Sequence, residues 1–373
     1  MNVLHLLDSL NRGGAETLVL DICRNAEKCG LKLTFAASGG GDLKKEFENS
    51  GVEFIGLQRR LPVDPNLIRQ LRKIIKEKKI EIVHAHQPVE AVHLYLATAG
   101  LKNVKCVLSH HGGGLFAEKA KNRLMAKYLS PLMDGNISCS RSLLPWLREE
   151  IGIDTAKNFH IIYNGVDAIR LQGSGNSVRE EFGIEPEDLL LGMIANFVPT
   201  PTKDQMTICR ALPKVFAEFE NAKFIFAGKV AEGGEKNFNA CIEYCAEKGI
   251  GDKVFFPGVR NDVPDILAAL DLFVFSSLHE GLPIAIVEAM MTKTPVIASD
   301  ISPLVEATGG GKYAEIFKVK NSEDLAEKIL TLLTNTARRE NKAEKAYIFA
   351  KENYSIEAHI ENLKMLYENL LND

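Results

Sequence analysis

The sequence predicts an α/β protein built of two doubly wound domains, each a parallel sheet with helices on both faces. Three observations carry the prediction. Short runs rich in Val, Ile, Leu and Phe alternate with longer amphipathic segments, the signature of strand–helix–strand units. The pattern runs twice, with a break near "NGVDAIRLQGSGNS", where a strand ends and small polar residues follow. The chain has 373 residues, more than one core usually holds. The expected boundaries are 1–168 for the first domain and 169–354 for the second. A last helix over 355–373 follows the second sheet and is expected to pack back onto the first domain.

Taken in order, the front half shows strands at "VLHLL", "LTFAAS", "VEFIGL", "IEIVHAH", "KCVLSHH", "GNISCS" and "FHIIYN". The back half shows them at "LLLGMIANF", "AKFIFAG", "KVFFPG", "LFVFSS", "TPVIAS" and "EIFKV". Between them lie helical patterns such as "NLIRQLRKIIKEKK", with Leu67, Ile68, Leu71, Ile74 and Ile75 on one side. Many strands end in a polar residue or glycine: His86, His110, His111, Ser140, Asn164, Asn196, Gly228 and Ser277. Open parallel sheets bind ligands at the carboxyl ends of their strands. Two such sheets facing a central cleft would gather these residues around one site.

Bulk properties narrow the class. No apolar run reaches the length of about 20 residues that spans a bilayer, and the amino terminus reads as a first strand rather than a signal peptide. Seven cysteines without a C-x-x-C pair read as reduced thiols of a cytoplasmic protein, with little support for zinc. Residues 1–165 carry 23 Lys+Arg against 17 Asp+Glu, a net of +6, and the rest of the −4 chain carries −10. A basic front half and an acidic back half suggest different partners. The basic excess is small and few aromatics accompany it, which argues against nucleic acid.

Individual sites remain open on residue type alone. Gly13 and Gly14 follow the first strand and precede a helix, which suits either a tight turn or an anion at free amides. The missing G-x-G-x-x-G argues against a dinucleotide cofactor. Glycine triples 39–41 and 112–114 read as loops. His86 and His111 end strands, where a histidine caps structure or hydrogen-bonds a ligand. Lys203 stands at a helix entrance, as a surface lysine or a diphosphate contact. "HEGLPIAIVEAMM" places Glu280 in a loop and Glu288 within an apolar helix, with Pro283 in its first turn. A carboxylate in so apolar a run needs a partner.

These residues resemble a known family. "SSLHEGLPIAIVEAM" is similar to the S-x-x-E-G-x(6)-E-A-M signature of glycosyltransferase family 4, retaining enzymes of the GT-B fold with two Rossmann-like domains. "GGAE", "VHAH", "HHGG", "ISCS", "YNGVD", "FAGK", "VFFPGVRNDV" and "TPVIASD" occur in the family's order. The resemblance implies a cytoplasmic hexosyltransferase-type enzyme using a nucleotide-diphosphate sugar, in cell-surface polysaccharide or glycolipid assembly. It implies an acceptor-binding first domain and a donor-binding second domain. No cofactor and no metal are expected, and no D-x-D-like site appears.

Carried over, the resemblance makes His111, Lys203 and Glu280 the catalytic group. Glu288 takes the ribose hydroxyls and Glu280, with Gly281, Leu282 and Pro283, the donor sugar. Lys203 pairs with the diphosphate, which Gly14 approaches through backbone, and His111 lies near the transferred sugar; Gly13, His86 and Asn196 are further substrate-binding candidates. Gly258, Val259 and Arg260 lie by the base. Ser140, Asn164 and Asp167 match structural positions. Asn196 stands where the family commonly has arginine, so one diphosphate cation is missing, or supplied by Arg12 or Arg260. Lys293 replaces a usual glycine at a cost on the order of 1 kcal/mol if the conformation is left-handed, so the turn is expected to differ. The acceptor is an unidentified hydroxyl compound, lipid-linked or polymeric. Basic helices in 57–79 and 117–129 suggest peripheral attachment to the inner membrane face. A nucleotide-sugar epimerase or hydrolase, or a non-catalytic binding subunit, are the alternatives.

Overall fold

The structure is a computed structural model and describes residues 1–112, 120–200 and 202–372. Gly113, Gly114, Pro201 and the first three residues of the basic segment 117–129 lie outside the described residues. The chain divides into two compact units, Met1–Asp167 with Tyr354–Asp373, and Ala168–Asn353.

The first unit holds β1 Asn2–Leu7, β2 Lys32–Ala37, β3 Glu53–Gly56, β4 Ile82–Ala85, β5 Lys105–His110, β6 Gly135–Ser138 and β7 Phe159–Ile161. They form one parallel sheet in the order β3-β2-β1-β4-β5-β6-β7. The last five residues of β1 and of β2, and all of β4, are buried. Helices cover both faces of such a sheet, which is why its strands read as nearly continuous apolar runs. The strands stop short of the polar ends of those runs. β4 ends at Ala85 and releases His86, while β5 keeps His110 and releases His111.

Helix Pro65–Glu77 shows how local sequence sets these elements. The Asp64 carboxylate accepts from the Asn66 and Leu67 amides at 2.9 and 3.3 Å, and proline opens the first turn. Leu67, Leu71 and Ile75 are buried, with Ile68 and Ile74 packed beside them in the core. The apolar side of this basic helix is therefore packed against its own domain.

Helix Ile356–Asn372 closes the first unit. Val166 and Ser355 form a bridge, and the His359 Nδ1 lies 2.6 Å from the Tyr163 carbonyl. A Cβ on Gly165 would stand 2.6 Å from the His359 Cβ, so only glycine permits this approach. The Asp167 carboxylate accepts from the Asn25 side-chain Nδ2 at 3.0 Å. Gly39 has a similar reason: a Cβ there would lie 2.3 Å from the Asp8 carbonyl.

The second unit holds β8 Leu189–Ile194, β9 Ala222–Ala227, β10 Val254–Gly258, β11 Leu272–Phe275, β12 Val296–Ser299 and β13 Glu315–Phe317. Its parallel order is β10-β9-β8-β11-β12-β13. In both sheets the order reverses beside the first strand, between β1 and β4 and between β8 and β11. Ligands of doubly wound sheets bind at such switch points.

Candidate active site

At the switch point of the second sheet the chain leaving β11 meets the chain entering helix Gln205–Glu218. Lys203 and Ser277 form an antiparallel bridge, Leu278 donates its amide to the Thr202 carbonyl at 2.8 Å, and Asp204 donates to Ser276 at 3.1 Å. This backbone stitching brings Lys203 onto Glu280. Its ammonium donates to Glu280 Oε1, and the Ser277 hydroxyl donates to the same oxygen at 2.6 Å. The Lys203 Nζ also sits 5.0 Å from the Phe275 ring centroid. The pair is mostly sequestered, with side chains 21% and 10% exposed. Buried burden on His279 is the larger influence on its imidazole and lowers its pKa, with Glu280 opposing and Lys203 adding to the effect.

Glu280, Gly281, Leu282 and Pro283 lead into helix Ile284–Met291. Pro283 is the residue just before the helix rather than in its first turn, with φ −72 and ψ 115. No side chain caps this helix, so its opening amides carry positive partial charge toward the loop. Glu288 is buried within the helix. Its partner is Arg170, which donates to Glu288 Oε1 at 2.6 Å from a 3-10 turn at Ala168–Leu171. Only one carboxylate oxygen is engaged in that bond, and a carboxylate has about four lone-pair sites.

Asn196 ends the β8 run, exposed, and accepts from the Lys229 amide at 2.9 Å. Gly258 has φ +75 and Val259 is 61% exposed. The two arginines considered as replacement cations are both engaged. Arg260 is held by Glu181 at 2.6 Å and by Asp262 at 2.7 Å, and those carboxylates raise its pKa. Arg12 donates to Glu46 at 2.8 Å. Neither offers an unpaired guanidinium.

Lys293 adopts φ +59, the left-handed conformation of the glycine it replaces. The expectation of a different turn is corrected. Its ammonium pairs with Glu344 at 2.7 Å and lies 4.8 Å from the Tyr347 ring, contacts a glycine could not make.

The first unit places Gly13 and Gly14 at the start of helix Gly14–Asn25, which has no side-chain cap. His86 is buried and its amide donates to Glu90 Oε2 at 2.7 Å. Glu90, missed in the sequence reading, also accepts from Asp8 and Gln87 at 2.8 Å each, joining the ends of β1 and β4. Desolvation raises its pKa well above the ordinary range, with those amides opposing. The His86 Nδ1 lies 3.1 Å from the His111 Nε2. His5, His84 and Tyr367 meet them from β1, β4 and the last helix. Their signal, histidines inside apolar strands, was present but each looked solitary.

Two doubly wound parallel sheets, each reversing its order beside its first strand, define the class of fold. The sequence profile described as "Glycosyl transferases group 1" matches residues 176–349, and "Glycosyltransferase Family 4" matches residues 12–170. The chain belongs to this group 1/family 4 set and is a glycosyltransferase of a retaining family. EpsF of Bacillus subtilis (strain 168), named as a glycosyltransferase, is 26% identical over 316 residues, covering 80% of this chain and 79% of EpsF. The UDP-Gal:alpha-D-GlcNAc-diphosphoundecaprenol alpha-1,3-galactosyltransferase of Escherichia coli is 27% identical over 253 residues, covering 64% and 62%. The crystal structure of Anabaena HepE in complex with UDP-glucose superposes with a TM-score of 0.84 at 20% identity, covering 100% of both chains, a likeness of fold.

Among the described residues, no helix is long and apolar enough to cross a membrane.

Proposed function

We propose that this glycosyltransferase moves a hexosyl unit from a UDP-type nucleotide sugar to a hydroxyl of a lipid-linked or polymeric acceptor, in cell-surface polysaccharide or glycolipid assembly. The observation that carries the reading is the Lys203–Glu280–Ser277 cluster at the switch point of the second sheet. A departing diphosphate gains negative charge in the transition state. The Lys203 ammonium and the amides opening helix Ile284–Met291 are fixed donors for that charge. In the free protein Glu280 holds the ammonium in place. On binding, Glu280 turns to sugar hydroxyls and Lys203 to the diphosphate. Glu288, anchored through one oxygen by Arg170, accepts the ribose hydroxyls with its remaining lone pairs. His111 is the first unit's candidate contact to a ligand hydroxyl, in the role the family resemblance implies. The departing phosphate oxygen takes the acceptor's proton, so no side-chain nucleophile and no metal are required.

UDP-sugars named for the relatives support the donor class, and a diphosphoundecaprenol substrate supports a lipid-linked acceptor. Helix Ala120–Leu129 adds a surface for such an acceptor. Leu124 and Tyr128 are 57% and 65% exposed, with Lys121 and Lys127 beside them. Cytoplasmic placement against the inner membrane face follows from that reading.

The test is a thermal-shift panel of UDP-, GDP- and ADP-sugars on the wild-type chain and on Glu280→Ala and Glu288→Ala. Ligands that bind the folded state raise its melting point. A UDP-sugar shift that is lost in both variants is expected. A folded Glu280→Ala variant with undiminished binding and turnover would sink the assignment. Product analysis without acceptor separates transfer from hydrolysis or epimerisation. Sedimentation with anionic vesicles at low salt tests the membrane contact, and no binding removes it.

A further inference from the structure

The first unit contains a hydrogen-bonded chain of buried rings that ends on His111. Tyr367 Oη lies 2.6 Å from His84 Nδ1 and 3.1 Å from His5 Nε2. His5 Nδ1 lies 3.1 Å from His86 Nε2, and His86 Nδ1 lies 3.1 Å from His111 Nε2. His84 Nε2 continues to the Ser109 hydroxyl at 2.8 Å. His5, His84 and Tyr367 are fully buried and His86 nearly so.

His5, His84 and His86 each bring one ring nitrogen within 4.8 Å of the others, a spacing a metal could use. Every ring nitrogen of the three already has a hydrogen-bond partner, however, so the group reads as a chain. Burial keeps these imidazoles neutral, pushing the pKa of His5 down to about 3 and those of His84 and His86 well below the ordinary value. Burial likewise raises the pKa of Tyr367 and keeps its hydroxyl protonated.

A neutral imidazole has one donor nitrogen and one acceptor nitrogen. Along such a chain one choice fixes all the rest. If the Tyr367 hydroxyl donates to His84, then His5 Nε2–H donates to Tyr367. His86 Nε2–H then donates to His5, and His111 Nε2–H donates to His86. If Tyr367 donates to His5 instead, every proton shifts to the opposite nitrogen. The distances favour the first arrangement. O–H donors make bonds shorter than N–H donors do, and the His84 contact is the short one.

We propose that Tyr367 sets, through His5 and His86, the tautomer of His111, leaving its Nδ1 unprotonated as a hydrogen-bond acceptor for a ligand hydroxyl. Among the described residues this Nδ1 meets no partner at hydrogen-bond geometry, and the Asn164 side chain is the ring's other polar neighbour. Tyr367, His5 and His86 are positioning residues, acting through His111. The proposal rests on the functional reading only for what the acceptor nitrogen meets.

The experiment is long-range ¹⁵N–¹H NMR of histidine-labelled, ligand-free protein, with His111 assigned by loss of its signals in His111→Gln. Protonated and bare ring nitrogens have well separated shifts. The expected wild-type pattern is protonated Nε2 and bare Nδ1. In Tyr367→Phe, which keeps the ring and removes the hydroxyl, the single pattern is expected to reverse or average. A wild-type His111 that is averaged or protonated at Nδ1 overturns the proposal, and this result needs no variant to fold. So does a folded Tyr367→Phe protein with the wild-type pattern, or stoichiometric metal bound by the wild-type protein. A changed tautomer with unchanged turnover supports the chain and removes His111 from the reaction.

Discussion

Acidification is expected to unfold the first unit well above the pH at which carboxylates titrate. His5, His84, His86, His110 and His359 are all buried in it. Burial lowers His5 to about 3 and His110 and His359 to about 4, with His84 and His86 also well below their ordinary value. In the unfolded chain each returns to about 6.5. Between those values the unfolded state binds more protons, so stability rises with pH and is lost as pH falls below the unfolded value. At pH 5.5 each group then costs about 1.4 kcal/mol relative to neutral pH, and five cost about 7 kcal/mol. Domains have only about 5–15 kcal/mol to lose. The single tryptophan, Trp146, lies in this unit and reports on it. Urea unfolding followed by its fluorescence, at pH 7.5 and pH 5.5, measures the difference. Protonation of Glu90 within the fold, whose pKa burial raises, offsets part of this; a loss below about 2 kcal/mol in both the wild-type chain and Glu90→Gln would refute the reasoning.

Four further outcomes follow from the second unit. Arg170→Met strands the buried Glu288 carboxylate and is expected to cost about 2–3 kcal/mol, the low end for a broken buried pair given the residual exposure; thermal melts check it, and the double variant with Glu288→Met is expected to recover most of the loss. Lys203→Ala is expected to lower kcat about 10²-fold with the fold intact, as for removal of one fixed donor to a developing anion; steady-state kinetics with a UDP-sugar decide. Turnover is expected to survive EDTA, since Lys203 and helix amides supply the positive charge; loss restored by added divalent metal would contradict that. Lys293→Gly relieves a left-handed lysine worth about 1 kcal/mol but removes the Glu344 contact, so melting is expected to change little, and a fall of more than about 2 kcal/mol would show that the contact dominates.

Fold class was legible because parallel strands buried on both faces leave continuous apolar runs; eleven strands fall within the quoted stretches and β1 and β2 start one residue before theirs. Glu280 and Glu288 were legible because their spacing and apolar surroundings are local. What local pattern could not show was pairing across distance. Arg170 and Glu288 are 118 residues apart, and His5 and Tyr367 are 362 apart. Arg12 and Arg260 looked available because their carboxylate partners lie elsewhere in sequence. The turn at Lys293 looked improbable for the same reason. Its compensating contacts come from helix Thr336–Tyr354, which sequence spacing does not connect to it.

The order in which the chain is made gives the last helix a further significance. Residues 168 to 353, 186 in all, separate the two segments of the first unit. At ribosomal rates of about 5–20 residues per second, roughly 10–40 s pass between emergence of those segments. During that interval His5 and His84 have no phenol to meet. The first half of the protein is thus synthesised first but finished last, and a nascent-chain holdase has its longest opportunity at the surface that Ile356–Asn372 will cover.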